Sequence, residues 1–258
     1  MATTDAHGPR EWGPLTDPAG IQVAGLGPAG GALAAALAAG AVAALALWDP
    51  TPVGASDLGL GLLPADLGRP RDRAWEARLS RAWPALPVYA GADTRPGALG
   101  AATVAVDLPG LPDLAARAVA AQHPLLPVRT DVRGVSAGPW TGGGAPGCVL
   151  CTEDVPGTAL TAPPAAPPRR EPGAAREPGH ALRAVVLALD VLTGRRDATS
   201  AVLRVDAATG RLTRIPVRAR PGCGCADLLA GDGTGDDWAA ALAAVEESLD
   251  GALADARP

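Results

Sequence analysis

The stretch "GLGPAGG", residues 25–31, decides the fold. It follows "IQVA" (residues 21–24), an apolar run typical of a buried strand, and leads into an alanine-rich helical pattern that ends at Gly40. A second apolar run, "VAALALWD" (residues 42–49), ends on an acid. This order is typical of the βαβ unit that binds dinucleotides, in which the glycines approach phosphate and the acid holds a ribose hydroxyl. The pattern predicts four nucleotide-binding residues: Gly25, Gly27, Gly30 and Asp49. The alternative is a plain strand-to-helix turn that binds no ligand.

The rest of the chain continues to alternate apolar runs with helical patterns. This alternation predicts an α/β fold: a Rossmann-like, doubly wound, mostly parallel sheet with helices on both faces. Two runs around the turn "ATG" (residues 208–210) predict a hairpin. We expect one nucleotide-binding domain over residues 20–226, with a mobile Pro/Ala-rich loop at 156–178. An N-terminal tail (1–19) and a helical C-terminal tail (227–258) flank it.

Composition excludes several classes of partner. The formal net charge of −5 and the pI near 5.2 argue against nucleic acid or an anionic membrane. The N-terminus lacks the apolar segment of a signal peptide. The uncharged run from Ile21 to Trp48 is long enough to span a bilayer, but it is mostly alanine and is interrupted by glycines. We expect a cytoplasmic protein. Every basic residue is an arginine, so chemistry that requires lysine is excluded.

The four cysteines form two tight pairs, "CVLC" and "CGC". Thiolates at this spacing can surround one tetrahedral ion, and Zn²⁺ suits four sulfur ligands. A redox CxxC would not explain the second pair, and a cytoplasmic chain should not keep disulfides. Because the protein would fill all four positions, we expect a structural zinc with no open coordination site. Its ligands would be Cys148, Cys151, Cys223 and Cys225.

The order of these motifs resembles the ThiF/MoeB/E1-like superfamily. The resemblance covers roughly residues 20–226, and it rests on the order of the motifs. This order is the glycine turn and strand-end acid, "SDL", "DLGRPR", a long crossover, CxxC, a helix ending "LTG" and a late cysteine pair. The similarity is greatest to actinobacterial ThiF-like proteins related to bacteriocin or azole-peptide biosynthesis. The resemblance implies ATP, with Mg²⁺, and adenylation of the C-terminal carboxylate of a peptide or ubiquitin-like protein. It also implies a homodimer, for which the apolar helix near residues 180–193 is available.

Three positions depart from the family pattern around the reacting phosphates. Where relatives read "SNLNRQ", this chain reads "SDLGLG", with Leu60 in place of the arginine. Arg71 replaces a lysine, and a planar guanidinium is not equivalent to a compact ammonium. Gly110 replaces the acid that holds Mg²⁺, although Asp107 or Asp113 could take that role. We predict Arg71 and Asp107 as the candidate catalytic residues; Arg69 or Arg73 could supply a missing charge.

Two functional hypotheses follow from the resemblance and these departures. Losing one preorganised charge costs roughly a hundred- to a thousand-fold in rate, so adenylation should fall toward background. No cysteine remains for a covalent intermediate once the zinc pattern is filled, and the three histidines stand alone. We therefore favour a binding component that recognises a peptide or protein tail. An active ATP-dependent adenylyltransferase is the alternative. An NAD-dependent oxidoreductase would explain the glycine turn but not the cysteines. With about twenty residues before the first strand, we expect no separate leader-binding module.

Overall fold

The computed structural model describes residues 20–40, 42–59, 61–91, 94, 102–121, 123–141, 147–152, 178–221, 223 and 225. The predicted tails, the segment 156–177 of the predicted loop and Leu60 lie outside these residues.

Among the described residues, eight strands form one sheet in the order β3-β2-β1-β4-β5-β6-β7-β8. The first five strands pair in parallel, and β5 through β8 pair antiparallel. The predicted mostly parallel α/β sheet is therefore confirmed, with the predicted hairpin as its antiparallel edge. The strands are β1 (Ile21–Ala24), β2 (Leu45–Trp48), β3 (Val88–Ala90), β4 (Ala102–Val106), β5 (Leu125–Asp131), β6 (Gly134–Ala137), β7 (Ala201–Asp206) and β8 (Leu212–Pro216).

In the described part of the chain, four α-helices cover the two faces of this sheet. They are α1 (Pro28–Ala39), α2 (Arg71–Ala82), α3 (Leu111–Ala120) and α4 (Pro178–Leu192). Helices α1, α2 and α4 share one hydrophobic cluster, and α3 shares a second cluster with the cysteines. In β4, Val104 and Val106 belong to the first cluster and Ala105 to the second, as the alternation of side chains along a strand requires. Helices therefore lie on both faces, as predicted.

The uncharged run from Ile21 to Trp48 folds as a strand, a helix and a second strand. Alanine-rich α1 buries Leu33 and Leu37 together with small side chains. The N–H of Gly40 ends the helix by donating to the carbonyls of Ala36 and Leu37 at 3.0 Å. Within the described residues, none of the helices combines the length and the apolarity that crossing a membrane requires.

One strand was not predicted. Strand β6 is only four residues long and returns antiparallel to β5 after Val132 and Arg133. Its sequence, "GVSA", contains neither a long apolar run nor the Asn-Gly or Asp-Gly pair that signals a tight hairpin. Pairing with β5 on one side and β7 on the other satisfies its main chain, so tertiary pairing rather than local propensity produces this strand.

Candidate nucleotide site and cysteine cluster

The topology places a crevice at the carboxyl ends of β1 and β4. From β1 the chain proceeds outward to β2 and then β3, and it returns to β4 on the other side of β1. Ligands of open α/β sheets bind at such a point of reversal, because the loops after the two strands diverge there. Residues that follow β1, β2 and β4 therefore border the candidate site: the glycine turn, Asp49 and Asp107.

Gly25, Gly27 and Gly30 serve different structural purposes in the turn. Gly25 has φ +86°, and a Cβ there would lie 2.1 Å from the carbonyl oxygen of Val106. A Cβ on Gly30 would lie 1.8 Å from the carbonyl oxygen of Gly25. Both glycines are thus required by close main-chain packing. Around Gly27, no atom of the described chain lies within 4 Å of a Cβ, so this position alone leaves room for a ligand.

Helix α1 begins directly after Gly27. Its N-terminus receives no hydrogen bond from a capping side chain, and Pro28 occupies the first turn. The first N–H groups of a helix, together with its dipole, attract anionic groups such as phosphate. The geometry at Gly27 is therefore suited to a phosphate next to the main chain.

Asp49 is buried at the end of β2 and is already bonded to the glycine turn. One carboxylate oxygen accepts a hydrogen bond from the N–H of Leu26 at 2.7 Å, and the other accepts one from Thr51 at 3.0 Å. The acid thus lies beside the turn, as the βαβ pattern predicts. It fixes the main chain between Gly25 and Gly27.

Arg71 lies at the start of α2, where its N–H donates to the carbonyl of Thr51 at 3.0 Å. Its guanidinium contacts two acids. Nε and Nη2 donate to the carboxylate of Asp57 at 3.0 and 3.1 Å, and Nη1 donates to Asp49 at 3.3 Å. The candidate catalytic arginine and the candidate ribose acid are therefore in direct contact.

Asp57 is the site residue that the sequence analysis missed. Its side chain is buried, and it accepts a further hydrogen bond from the N–H of Gly54 at 2.8 Å. The motif "SDLGLG" suggested a role for position 60 and none for this acid. A signal was present nevertheless, because an acid three residues after Gly54 can cap the short turn that begins there.

Burial makes the acid next to Asp49 harder to ionise. Asp72 is buried in the first turn of α2, and its carboxylate lies 3.5 Å from the N–H of Asp49. Desolvation raises the pKa of Asp72, and the charge of Asp49 adds to the rise, against hydrogen bonds from the main chain that lower it. Two carboxylates, those of Asp49 and Asp72, therefore lie close together in this part of the site.

The other arginines proposed as substitutes are paired as well. Arg69 forms an ion pair with Asp66 at 3.4 Å, and Arg73 forms one with Glu76 at 3.0 Å. Both arginine side chains are about half exposed, so these pairs hold them only weakly.

Asp107 follows β4 at the crevice in a left-handed conformation, with φ +49°. Its carboxylate accepts hydrogen bonds from the N–H and the hydroxyl of Thr130, at 2.7 and 2.6 Å. Aspartate tolerates this conformation better than most residues. The carboxylate thus connects the ends of β4 and β5.

Gly110 and Asp113 lie at the beginning of α3. Gly110 has φ −86°, and no described atom lies within 4 Å of a Cβ at this position. A larger residue is therefore compatible with the main chain. Asp113 is exposed in the first turn of α3, where its charge is favourable to the helix dipole.

The last glycine of "GLGPAGG" has a packing role. A Cβ on Gly31 would lie 2.3 Å from the indole of Trp75 in α2, and a Cβ on Gly61 would lie 2.5 Å from the same ring. Trp75 is buried, and its Nε1 has no hydrogen-bond partner within the described part of the chain. The indole holds α2 against α1 one turn after Arg71, so this contact positions the guanidinium.

The four cysteines converge in the second hydrophobic cluster. Their sulfurs lie within 4.8 Å of one another, with neighbouring pairs at 3.5–3.8 Å, and all four side chains are buried and free of disulfides. Gly147 allows the two segments to meet, because a Cβ there would lie 2.5 Å from the carbonyl of Val217, just after β8.

The electrostatics of this cluster require a cation if the sulfurs are to be thiolates. Burial raises the pKa of Cys148 and raises that of Cys223 to about 11. The pKa of Cys151 is lowered, because burial there is outweighed by hydrogen bonds, including one that its sulfur accepts from the N–H of Arg220 at 3.3 Å. A divalent ion would reverse the effect of burial by supplying the compensating charge. Four sulfur donors in this arrangement can hold a metal ion, and the donor set fits zinc.

Comparison with known proteins gives a consistent result at the level of fold. No protein-family model and no curated protein sequence matches this chain. Among solved structures, E. coli MccB in complex with MccA-N7isoASN has a TM-score of 0.60 at 14% identity over 80% of this chain. The chain has the fold of MccB. The matched region spans 66% of the MccB chain. PaaA has a TM-score of 0.58 at 14% identity, over 76% of this chain and 72% of its own.

The expected resemblance is confirmed at the level of fold, because both MccB and PaaA share the architecture of this chain. MccB is a microcin C7 biosynthetic enzyme, and its structures include complexes with ATP and with N-formylated MccA. At this identity, the similarity concerns the architecture and not the roles of individual residues.

Proposed function

We propose that the crevice between β1 and β4 binds an adenine nucleotide. The observation that carries this proposal is the turn itself: Gly25 and Gly30 are required by main-chain packing, whereas Gly27 leaves open space at the N-terminus of α1. Asp49 would hold the ribose from its position beside Leu26. The similarity in fold to MccB, which has been crystallised with ATP, supports the same ligand class.

The surroundings of the phosphates favour binding over chemistry. Arg71 is paired with two acids, Asp107 is bonded to Thr130, and Gly110 has no carboxylate for Mg²⁺. We therefore propose a degenerate adenylation site in a protein that recognises a peptide or a protein tail. The MccB complexes with MccA support a peptide as the partner.

An active adenylyltransferase is the second candidate, because Arg71 lies at the crevice in contact with Asp49. In that case Arg71 would neutralise the phosphates and Asp107 would hold Mg²⁺. Both groups would first have to leave their present partners.

The cysteine cluster would hold a structural zinc. With four protein sulfurs as ligands, no position remains for a reactive water, so its contribution would be to stability.

We also propose a cytoplasmic homodimer. Leu182 and Val186 are exposed on the same side of α4, four residues apart, and would form part of the contact. Light scattering at micromolar concentration should give the mass of a dimer; a monomer would contradict this assignment.

Calorimetric titration with ATP tests the nucleotide site. We expect modest affinity with weak dependence on Mg²⁺, and Asp49→Ala should weaken binding by about tenfold or more, because a charge-assisted hydrogen bond to ribose is lost. Asp197→Ala, which removes an acid in the antiparallel half, serves as the matched control. If the wild-type protein binds no adenine nucleotide, the proposal fails.

Exchange of labelled pyrophosphate into ATP separates the two candidate functions. We expect no exchange above background with any candidate peptide, since the charges at Leu60 and Gly110 are missing. Robust exchange by the wild-type protein would establish the enzyme instead. The double variant Leu60→Arg with Gly110→Asp is a feasible gain-of-function test, because the conformation at Gly110 tolerates a side chain.

A further inference from the structure

Three buried or half-buried charges at the crevice form one connected group, Asp49–Arg71–Asp57. Arg71 makes two hydrogen bonds to Asp57 and one to Asp49, so each of its three nitrogens donates to a carboxylate. The oxygen of Asp49 that accepts from Arg71 also accepts from the N–H of Leu26. The guanidinium is therefore connected through one atom to the glycine turn.

This group carries a net negative charge. Two carboxylates surround one guanidinium, and the Asp57 side chain is only 3% exposed while that of Arg71 is 20% exposed. If Arg71 turned toward a phosphate, Asp57 would remain buried without its cation, and an unpaired buried charge is costly. The arginine can therefore offer its remaining N–H groups to a ligand, but not an uncompensated positive charge.

We propose that Asp57 determines which ligand the crevice accepts, because it neutralises Arg71 and thereby removes the preference for a triphosphate. The crevice would bind the nucleoside moiety and the α-phosphate next to Gly27, and the β- and γ-phosphates would add no affinity. This inference rests on the proposed nucleotide site and specifies the class of ligand: a nucleoside or a nucleotide with few charges.

The experiment is a calorimetric titration of the full chain with AMP and with ATP. For the wild-type protein, ATP should bind no more tightly than AMP. Asp57→Asn keeps the shape and the acceptor for Gly54 but frees the charge of Arg71. It should raise the affinity for ATP by at least about fivefold, the effect of one charge at a solvated contact, and change that for AMP by less than about twofold. Asp197→Asn, which changes an acid paired with Arg214 in the antiparallel half of the sheet, should leave both affinities unchanged.

A salt series on the wild-type protein needs no variant. Affinity for ATP should be nearly independent of salt between low and physiological ionic strength, because no net positive charge contacts the phosphates. Tight binding of ATP that weakens steeply with salt would overturn this inference and leave the nucleotide site intact. An unchanged ATP affinity in a folded Asp57→Asn protein would also overturn it. Failure of the wild-type protein to bind either ligand would overturn the proposed function together with this inference.

Discussion

The parallel half of the sheet and its antiparallel half form their candidate sites from different chemical groups. At the carboxyl ends of β1 and β4, the site is formed by main chain: a Cβ would overlap a carbonyl at Gly25 and at Gly30. In the antiparallel half, the site is formed by four sulfur side chains, two from the chain after β6 and two from the chain after β8. A main-chain site is specified by a few neighbouring residues, whereas the sulfur site depends on the whole chain between Cys148 and Cys223, 75 positions apart.

The two sites also differ in whether the protein itself balances their charges. Around Arg71, the protein already supplies the counter-charges through Asp49 and Asp57. In the cysteine cluster, burial raises the pKa of Cys148 and Cys223, while hydrogen bonds lower that of Cys151, so four thiolates together would still lack a counter-charge. The first arrangement is complete without a ligand, and the second requires a cation to become charged. We therefore expect stability to depend strongly on the cysteine cluster and binding to depend on the crevice.

Removing one sulfur should have the largest effect. Cys151→Ser is expected to release the zinc and to lower the melting temperature by about 10 °C or more, because metal binding and folding share free energy. Elemental analysis should give one zinc per chain for the wild-type protein and none for the variant. Thermal denaturation followed by circular dichroism measures the loss of stability.

Leu150→Ala is the matched control for this prediction. Leu150 lies between the two cysteines of the first pair and is only partly buried, so its truncation removes packing but no sulfur. This variant should retain one zinc per chain. A wild-type protein that stays equally stable after the metal has been removed by a chelator would contradict a structural role for the cluster.

Two glycines of the same turn should respond in opposite ways. Gly30→Ala is expected to destabilise the fold by about 2–4 kcal/mol, because its Cβ would overlap the main chain of Gly25. Gly27→Ala has open space and φ −62°, so its cost should stay below about 1 kcal/mol while ATP binding is weakened. Denaturant unfolding and calorimetric titration of both variants measure the two effects.

This pair of variants tests whether the crevice is a binding site at all. If Gly27→Ala binds ATP as the wild-type protein does, the open space at this position is not where the phosphate lies. If Gly30→Ala is as stable as the wild-type protein, the close approach to Gly25 does not determine the turn.

The βαβ unit and the cysteine cluster could be predicted from the sequence for related reasons. Both depend on residue types with few alternative uses: glycine where no side chain fits, and cysteine in tight pairs. The ion pairs of Arg71 were not predictable in this way. An arginine can reach any acid within several ångströms, so the choice of Asp57 depends on how Trp75 and Gly31 set α2 against α1. Strand β6 was missed because its pairing comes from its neighbours.

A buried chain of polar side chains lies within the parallel half, away from the glycine turn. Gln22 in β1 accepts a hydrogen bond from the hydroxyl of Thr103 in β4 at 2.9 Å, and Nε2 of His123 lies 2.8 Å from the same hydroxyl. Because that hydroxyl donates to Gln22, His123 is expected to donate to it as a neutral imidazole. Burial lowers the pKa of His123, consistent with the neutral form.

The smallest expected effect is a dependence of stability on pH that originates in this chain of side chains. Because the folded-state pKa of His123 is below its unfolded value near 6.5, the unfolded chain binds more protons below that pH. The contribution of the neutral histidine is therefore complete above pH 6.5 and is lost as the pH falls through that value toward the folded pKa. His123→Gln keeps a donor for Thr103 but cannot titrate, so its free energy of unfolding should fall less between pH 7 and pH 5. Denaturant titrations of both proteins across this range measure the difference, and parallel curves would mean that His123 is not the group responsible.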